Sequence, residues 1–128
     1  MNMISAIGLF IAGLIHIAPV TGVLGAETLT RLYGMRFESP EVVLLLRHRA
    51  VLFGMLGLLL LAAAFVPGLR AIAVLAAAVS ILSFLVLAGL PGNRPEAIAR
   101  IIYADWLALV AMLPTVYLIF HAGVFDSG

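Results

Sequence analysis

Four long apolar stretches make up most of the chain and limit what it can fold into. They run over about residues 3–24, 41–66, 69–90 and 97–121, and each has the roughly 20 residues that a helix needs to cross a bilayer. Spanning segments are helices or closed barrels, because lipid cannot hydrogen-bond an exposed backbone. Barrel strands alternate apolar and polar residues, whereas residues 58–64 are apolar throughout. The sequence predicts an all-α integral membrane protein, an antiparallel up-down four-helix bundle forming a single membrane domain over residues 1–128.

The composition fits this class and excludes several functions. The chain is 65% hydrophobic and 10% charged, whereas a soluble domain is about 25% charged. Its net charge of +1 lacks the basic excess of a nucleic-acid binder, so no nucleic-acid partner is expected. The absence of cysteine excludes disulfides, thiol catalysis and thiolate metal sites. The first segment lacks a basic start and a fitting cleavage site, so we treat it as a helix of the mature protein.

Several residues mark where the predicted helices begin and end. Ser39, Pro40 and Glu41 are typical of a helix start, with a capping hydroxyl, a proline at the first position and an acid in the first turn. Pro67 and Gly68 predict a tight turn between the second and third helices. Residues 91–95 predict a short loop before the fourth helix.

The one long connection, residues 25–39, allows two interpretations. Residues 26–33 place Leu29, Leu32 and Tyr33 on one helical face, which predicts a short amphipathic helix at the membrane surface between the first two spans. An ordered loop is the alternative.

The arginines predict an orientation, because cytoplasmic loops of membrane proteins are enriched in basic residues. Four spans place both termini and the second loop on one side, which holds Arg70 alone. The other six arginines, including Arg31, Arg36 and Arg94, lie in or near the first and third loops. The sequence therefore predicts a bacterial inner-membrane protein with both termini outside.

The most unusual feature is the run Arg47, His48 and Arg49, which lies inside the second apolar segment. Charges at membrane depth are costly and usually pair or line a cavity. Consecutive helical residues are about 100° apart, so the three side chains cannot share one face. The sequence does not tell which of them faces the bundle interior.

Polar residues on all four helices fall at similar predicted depths. Asp105 lies roughly 24 Å from the outer end of its helix and Arg49 roughly 25 Å from the turn that follows its helix. Ser83 lies roughly 20 Å, and His16 roughly 18 Å, from the outer starts of their helices. We expect these residues to form a polar cluster in the inner half of the bilayer, together with the neighbouring Tyr103.

Each of these residues also has a purely structural interpretation. A buried Arg–Asp pair can lock the register of two helices, and an arginine near a helix end can reach the phosphate headgroups. Tyr103 suits an interfacial belt, His16 a satisfied core position, and Ser83 a hydrogen bond to its own helix. Neither His16 nor His48 has a second histidine three or four residues away, so no metal site is expected.

Several short motifs, taken in their order along the chain, resemble those of a known group of proteins over nearly the whole chain. Residues 32–34 read Leu-Tyr-Gly, residues 45–54 read Leu-Leu-Arg-His-Arg-Ala-Val-Leu-Phe-Gly, and residues 104–105 read Ala-Asp. In this the chain resembles a group of small, uncharacterised bacterial four-helix membrane proteins, and more loosely the DoxX-like membrane proteins. The resemblance implies the four-helix fold and no particular reaction.

Members of that group sometimes carry the label phosphopantetheine adenylyltransferase, which we reject for this chain. The soluble enzyme of that name resembles other nucleotidyltransferases, with a parallel sheet and a His-x-Gly-His motif near its start. Here the early histidine is followed by Ile17, Ala18 and Pro19 within an apolar segment. The chain also has no Walker loop and no dinucleotide-binding glycine pattern.

Three functions fit the sequence. The first is binding of a lipophilic molecule with a polar head, such as a quinone, an isoprenoid or a phospholipid-like lipid, with no reaction or cofactor identified and enzyme activity left open. The second is an accessory subunit of a larger membrane complex, which the alanine-rich third helix favours. The third is a proton-coupled small transporter that works as a homo-oligomer and uses Asp105. The predicted ligand-binding residues are Arg47, His48, Arg49, Tyr103, Asp105, Ser83 and His16.

Overall fold

The computed structural model describes residues 3–92 and 98–121. Its helices are α1 (Met3–Ile17), α2 (Ala26–Tyr33), α3 (Pro40–Phe65), α4 (Arg70–Ala88) and α5 (Ala99–His121), with 3₁₀ helices at Ala18–Leu24 and Pro67–Leu69. Four helical segments are long and apolar enough to cross a membrane: Met3–Leu24, Pro40–Phe65, Pro67–Ala88 and Ala99–His121. The predicted all-α four-helix membrane bundle is confirmed. Arg94, the loop at residues 93–95 and the predicted helix start at residue 97 lie outside the described residues.

The four spanning helices form a ring in which each helix packs against its neighbours in sequence. Helix α1 packs on α3, α3 on α4, and α4 on α5, and α1 also packs on α5 to close the ring. Short connections favour this order, because antiparallel neighbours need few linking residues. The buried centre consists mainly of Leu9, Ala12, Leu60, Ala63, Ala73, Ala77, Ala108 and Met112.

Small residues let the backbones of α1 and α3 come close. A Cβ atom at Gly57 would lie 2.9 Å from the carbonyl oxygen of Gly13 and 3.0 Å from the backbone nitrogen of Ile17. A Cβ atom at Gly54 would lie 2.8 Å from a methyl group of Val20. Close contacts of this kind are typical of membrane helices, which associate by van der Waals packing rather than by the hydrophobic effect.

The first span changes its helical form near Pro19. Helix α1 ends at Ile17, and the chain continues as a 3₁₀ helix from Ala18 to Leu24. Proline has no N–H to continue the α-helical pattern, and its ring clashes with the carbonyl group four residues earlier.

The long connection contains a helix, which decides between the two interpretations of residues 26–33. Helix α2 begins after Gly25, and its C-cap Gly34 has a φ of 71°, a left-handed conformation that glycine adopts readily. Leu29 is buried, whereas Glu27 and Arg31 are exposed. The apolar face of α2 therefore packs onto the bundle.

Helix α3 has well-defined ends. The hydroxyl oxygen of Ser39 accepts a hydrogen bond from the backbone N–H of Val42 at 3.4 Å, as the sequence predicts for an N-cap. At the other end, Arg70 donates from Nε to the carbonyl oxygen of Ala63 and from Nη2 to that of Ala64, both at 3.1 Å. Arg70 thereby satisfies two carbonyl groups that the end of the helix leaves without partners.

Candidate functional site

One cavity gathers polar side chains from four helices. It has a volume of about 280 Å³ and lies among α1, α2, α3 and α5; we call it the head-group cavity. Most of its wall is apolar. The lining residues are Ile15, His16, Ala18, Pro19, Leu32, Tyr33, Arg49, Phe53, Arg100, Ile101, Ala104 and Asp105.

The side chains of the run Arg47, His48 and Arg49 point to different faces of α3, as the spacing of residues in a helix requires. Arg49 lines the head-group cavity. Arg47 lies on another face of α3, where its Nε donates a hydrogen bond to the carbonyl oxygen of Val23 at 2.8 Å. His48 is exposed on the outer surface of the bundle. Arg49 is therefore the member of the run that faces the bundle interior.

Aromatic rings from three helices surround the guanidinium group of Arg49. Its central carbon lies 4.7 Å from the ring centre of Phe53, 5.1 Å from that of Phe84 and 5.9 Å from that of Tyr33. A cation over an aromatic face is stabilised by about 0.5–2 kcal/mol, with the larger values in desolvated sites. These rings hold the positive charge of Arg49 inside the bundle.

Asp105 contributes a buried carboxyl group to the same cavity. It is 5% exposed, and the positive charge of Arg49 acts on it electrostatically. Within residues 3–92 and 98–121, no hydrogen bond or ion pair joins the two side chains directly. The predicted Arg–Asp combination thus lines a shared cavity and leaves room for a third group.

His16 supplies a buried ring nitrogen to the cavity wall. The side chain is 1% exposed, and its Nδ1 lies 2.8 Å from the carbonyl oxygen of Ala12. Because a carbonyl oxygen can only accept, Nδ1 carries the proton of that hydrogen bond. Nε2 has no hydrogen-bond partner in the part of the chain that the structure describes. In the neutral ring Nε2 is therefore a buried acceptor whose hydrogen-bonding capacity none of the described residues uses.

Two polar residues of the head-group cavity do not belong to the predicted ligand-binding set. Tyr33 lines it from the end of α2, and Arg100 from the first turn of α5. The spacing of α5 gives a signal for Arg100, since residues 100, 101, 104 and 105 share one face of a helix. Tyr33 lies on the predicted apolar face of residues 26–33, but only the packing of α2 shows that this face meets the cluster.

Two of the predicted residues lie away from the head-group cavity. Tyr103 is 73% exposed on the outer face of α5. Ser83, on α4, donates a hydrogen bond to the carbonyl oxygen of Ser80 at 3.0 Å. Arg47 and His48 also lie away from this cavity. Of the predicted residues, the structure therefore brings His16, Arg49 and Asp105 to one cavity.

Ser83 borders a second cavity, which lies between α3 and α4 and has a volume of about 440 Å³. We call it the α3–α4 groove. Its walls are mostly apolar, and Arg49 and Phe53 line it as well as the head-group cavity. The lining residues are Arg49, Leu52, Phe53, Leu56, Ala76, Ser80, Ser83, Phe84 and Leu87.

The described residues contain no group of three or more His, Asp or Glu side chains that could hold a metal ion. The polar groups of the head-group cavity are instead two guanidinium groups, one carboxyl group, one imidazole and one phenol. Such a set can donate to and accept from a polar group in otherwise apolar surroundings. No family model, curated protein or solved structure matches the chain.

Proposed function

We propose that the protein binds a lipophilic molecule whose polar head lies in the head-group cavity. The observation that carries this proposal is the combination of an apolar wall with polar groups that have free hydrogen-bonding capacity. Asp105 and His16 are both buried and both line the cavity, and the Nε2 atom of His16 has no hydrogen-bond partner among the described residues. Ligand sites typically combine a mainly apolar lining with a few polar groups that fix the orientation of the ligand.

The charges of the cavity favour a head rich in hydrogen-bond acceptors. Arg49 and Arg100 line the cavity together with one carboxyl group, that of Asp105. Arginine donates several hydrogen bonds from a planar group, which suits phosphate, carboxylate or carbonyl oxygens. Asp105 and His16 would in turn accept from a hydroxyl group of the same head. A quinone, isoprenoid or phospholipid-like lipid meets these requirements, and the proposal includes no bond-making step.

The test is to extract the protein with its surrounding lipid and to identify by native mass spectrometry what each chain retains. We expect one additional molecule of discrete mass per chain. Arg100→Gln removes a charged donor, whose hydrogen bonds contribute about 1.5–3 kcal/mol, so we expect retention to fall about tenfold or more. Tyr103→Phe is the matched control, because Tyr103 lies on the same helix and faces outward.

Two results would contradict the proposal. One is a folded wild-type chain that retains no discrete molecule. The other is equal retention by Arg100→Gln and Tyr103→Phe. Stoichiometric co-purification of a larger membrane complex would instead favour the accessory-subunit function. The alanine residues of α4 give that alternative limited support, since Ala73 and Ala77 are fully buried within the chain itself.

We further propose that the protein lies in the bacterial inner membrane with both termini outside, because six of the seven arginines lie in or near the first and third loops. The absence of native cysteine makes single introduced cysteines unambiguous labels. On intact cells, an impermeant maleimide should label Gly68→Cys, in the second loop, and spare Glu38→Cys, in the first loop, until the cells are lysed. The reverse pattern would overturn the orientation.

A further inference from the structure

The α3–α4 groove adjoins the head-group cavity. Arg49 and Phe53 line both spaces, and the guanidinium group of Arg49 lies between the ring of Phe53, which borders both, and the ring of Phe84, which borders the groove alone. A group that contacts Arg49 from the head-group cavity is therefore one side chain away from the groove. The two spaces meet at Arg49 and Phe53, with most of the polar groups on one side and a mainly apolar wall on the other.

The groove runs along the bundle and away from the polar cluster. On α3 it extends from Arg49 to Leu56, seven residues or roughly 10 Å along the helix axis. On α4, which is antiparallel, it extends from Leu87 back to Ala76. The rim residues Leu52 and Leu87 are 50% and 59% exposed. The groove is thus open at its side to the hydrocarbon of the bilayer and runs in the general direction of lipid chains.

The position of the groove favours a hydrocarbon chain of the bound molecule as its occupant. Arg49 and Phe53 line both the groove and the head-group cavity, so a chain in the groove would begin beside the polar head. The apolar walls formed by Leu52, Leu56 and Ala76 suit such a chain and offer few hydrogen bonds.

We propose that the α3–α4 groove holds one hydrocarbon chain of the same molecule whose head lies in the head-group cavity. This inference rests on the proposed function and adds the subsite for the tail. The ligand is then an amphiphile that reaches its site sideways from the bilayer, with Arg49 at the junction of head and tail. Its chemical class is a lipid with an acceptor-rich head and at least one long apolar chain.

The experiment places a fluorescent reporter in the groove and a quencher on a lipid chain. The chain has one tryptophan, Trp106, so Trp106→Phe gives a silent background. Phe84→Trp then adds a reporter that keeps an aromatic ring beside Arg49, and Leu82→Trp adds a control reporter on the lipid-facing side of α4. Both proteins are reconstituted into phosphatidylcholine vesicles that contain a small mole fraction of dibromostearate, a single-chain anion whose bromine atoms quench tryptophan.

We expect the groove reporter to be quenched several-fold more strongly per mole of dibromostearate than the control reporter. Adding Ala76→Phe, which fills the groove, should reduce quenching of the groove reporter to the level of the control. Ser80→Leu provides a smaller filling substitution if Ala76→Phe does not fold. Ala71→Phe adds the same bulk as Ala76→Phe at an exposed position of α4, and it should leave the quenching unchanged.

Head and tail binding can be separated by the same assay. If Arg100→Gln also lowers the quenching of the groove reporter, the head and the chain belong to one bound molecule, as proposed. Strong quenching that ignores Arg100→Gln would overturn this link, since the groove would then hold chains of unrelated lipid. Equal quenching of both reporters would overturn the tail subsite. In that case, retention that still depends on Arg100 would show that the head-group site itself stands.

Discussion

Replacing Gly8 with alanine is expected to destabilise the bundle by about 3 kcal/mol, the upper part of the range for overpacking a buried site. A Cβ atom at Gly8 would collide with the carbonyl oxygen of Ala111 in α5. Backbone atoms cannot move aside as a flexible side chain can, so α1 and α5 would have to separate. The midpoint of thermal unfolding in detergent, followed by circular dichroism, measures the effect.

The same substitution should also weaken ligand retention, because α1 and α5 carry His16 and Asp105 to the head-group cavity. Gly68→Ala is the control for the added methyl group, since a Cβ atom at Gly68 meets no atom within 4 Å. Its unfolding midpoint should lie close to that of the wild type. If Gly8→Ala unfolded at the wild-type midpoint, the close approach of α1 and α5 would be wrong.

Replacing Arg49 with glutamine is expected to reduce retention of the bound molecule by more than tenfold. The substitution removes the positive charge that lines both the head-group cavity and the α3–α4 groove. It also removes the contacts that position the guanidinium group against the rings of Phe53, Phe84 and Tyr33. A hydrogen bond from a charged donor to the ligand contributes about 1.5–3 kcal/mol, and about 1.4 kcal/mol corresponds to a factor of ten in affinity. Native mass spectrometry of the protein, extracted together with its surrounding lipid, gives the fraction of chains that carry the molecule.

Two further variants test whether position and shape matter as well as charge. His48→Gln alters the next residue along α3, whose side chain is exposed on the outer surface, and should retain the molecule like the wild type. Arg49→Lys keeps the charge but loses the planar group that stacks on aromatic rings, so we expect an intermediate loss. Equal retention by Arg49→Gln and His48→Gln would remove Arg49 from the binding site.

The arrangement of Arg49 and Asp105 differs from that expected of a purely structural pair. A structural pair would be closed by direct hydrogen bonds, because a buried charge without partners is strongly destabilising. Among the described residues, Arg49 instead has aromatic neighbours, and Asp105 faces the cavity. Their remaining hydrogen-bonding capacity is directed to a space that a polar head can fill.

Much of the site could be predicted by counting residues along the helices. His16, Arg49 and Asp105 fall at similar predicted depths, and the structure places all three at one cavity. Depth alone does not give direction, however. Tyr103 lies two residues from Asp105 and faces outward, and Ser83 faces the neighbouring groove. Position along the helix predicts both residues near the polar cluster, whereas the rotation of their helices directs their side chains elsewhere.

The four apolar stretches determined by themselves that the chain is a helical membrane bundle, because backbone groups in lipid must be satisfied within each segment. That requirement is local, so length and composition suffice to meet it. The tertiary structure decided which member of the Arg47–Arg49 run faces inward, and that α2 brings Tyr33 to the polar cluster. It also decided that Arg49 joins two cavities. These features depend on the rotation of the helices and on how closely their backbones approach. Close contacts at residues such as Gly8 and Gly57 determine that approach, and they join helices that are far apart in sequence.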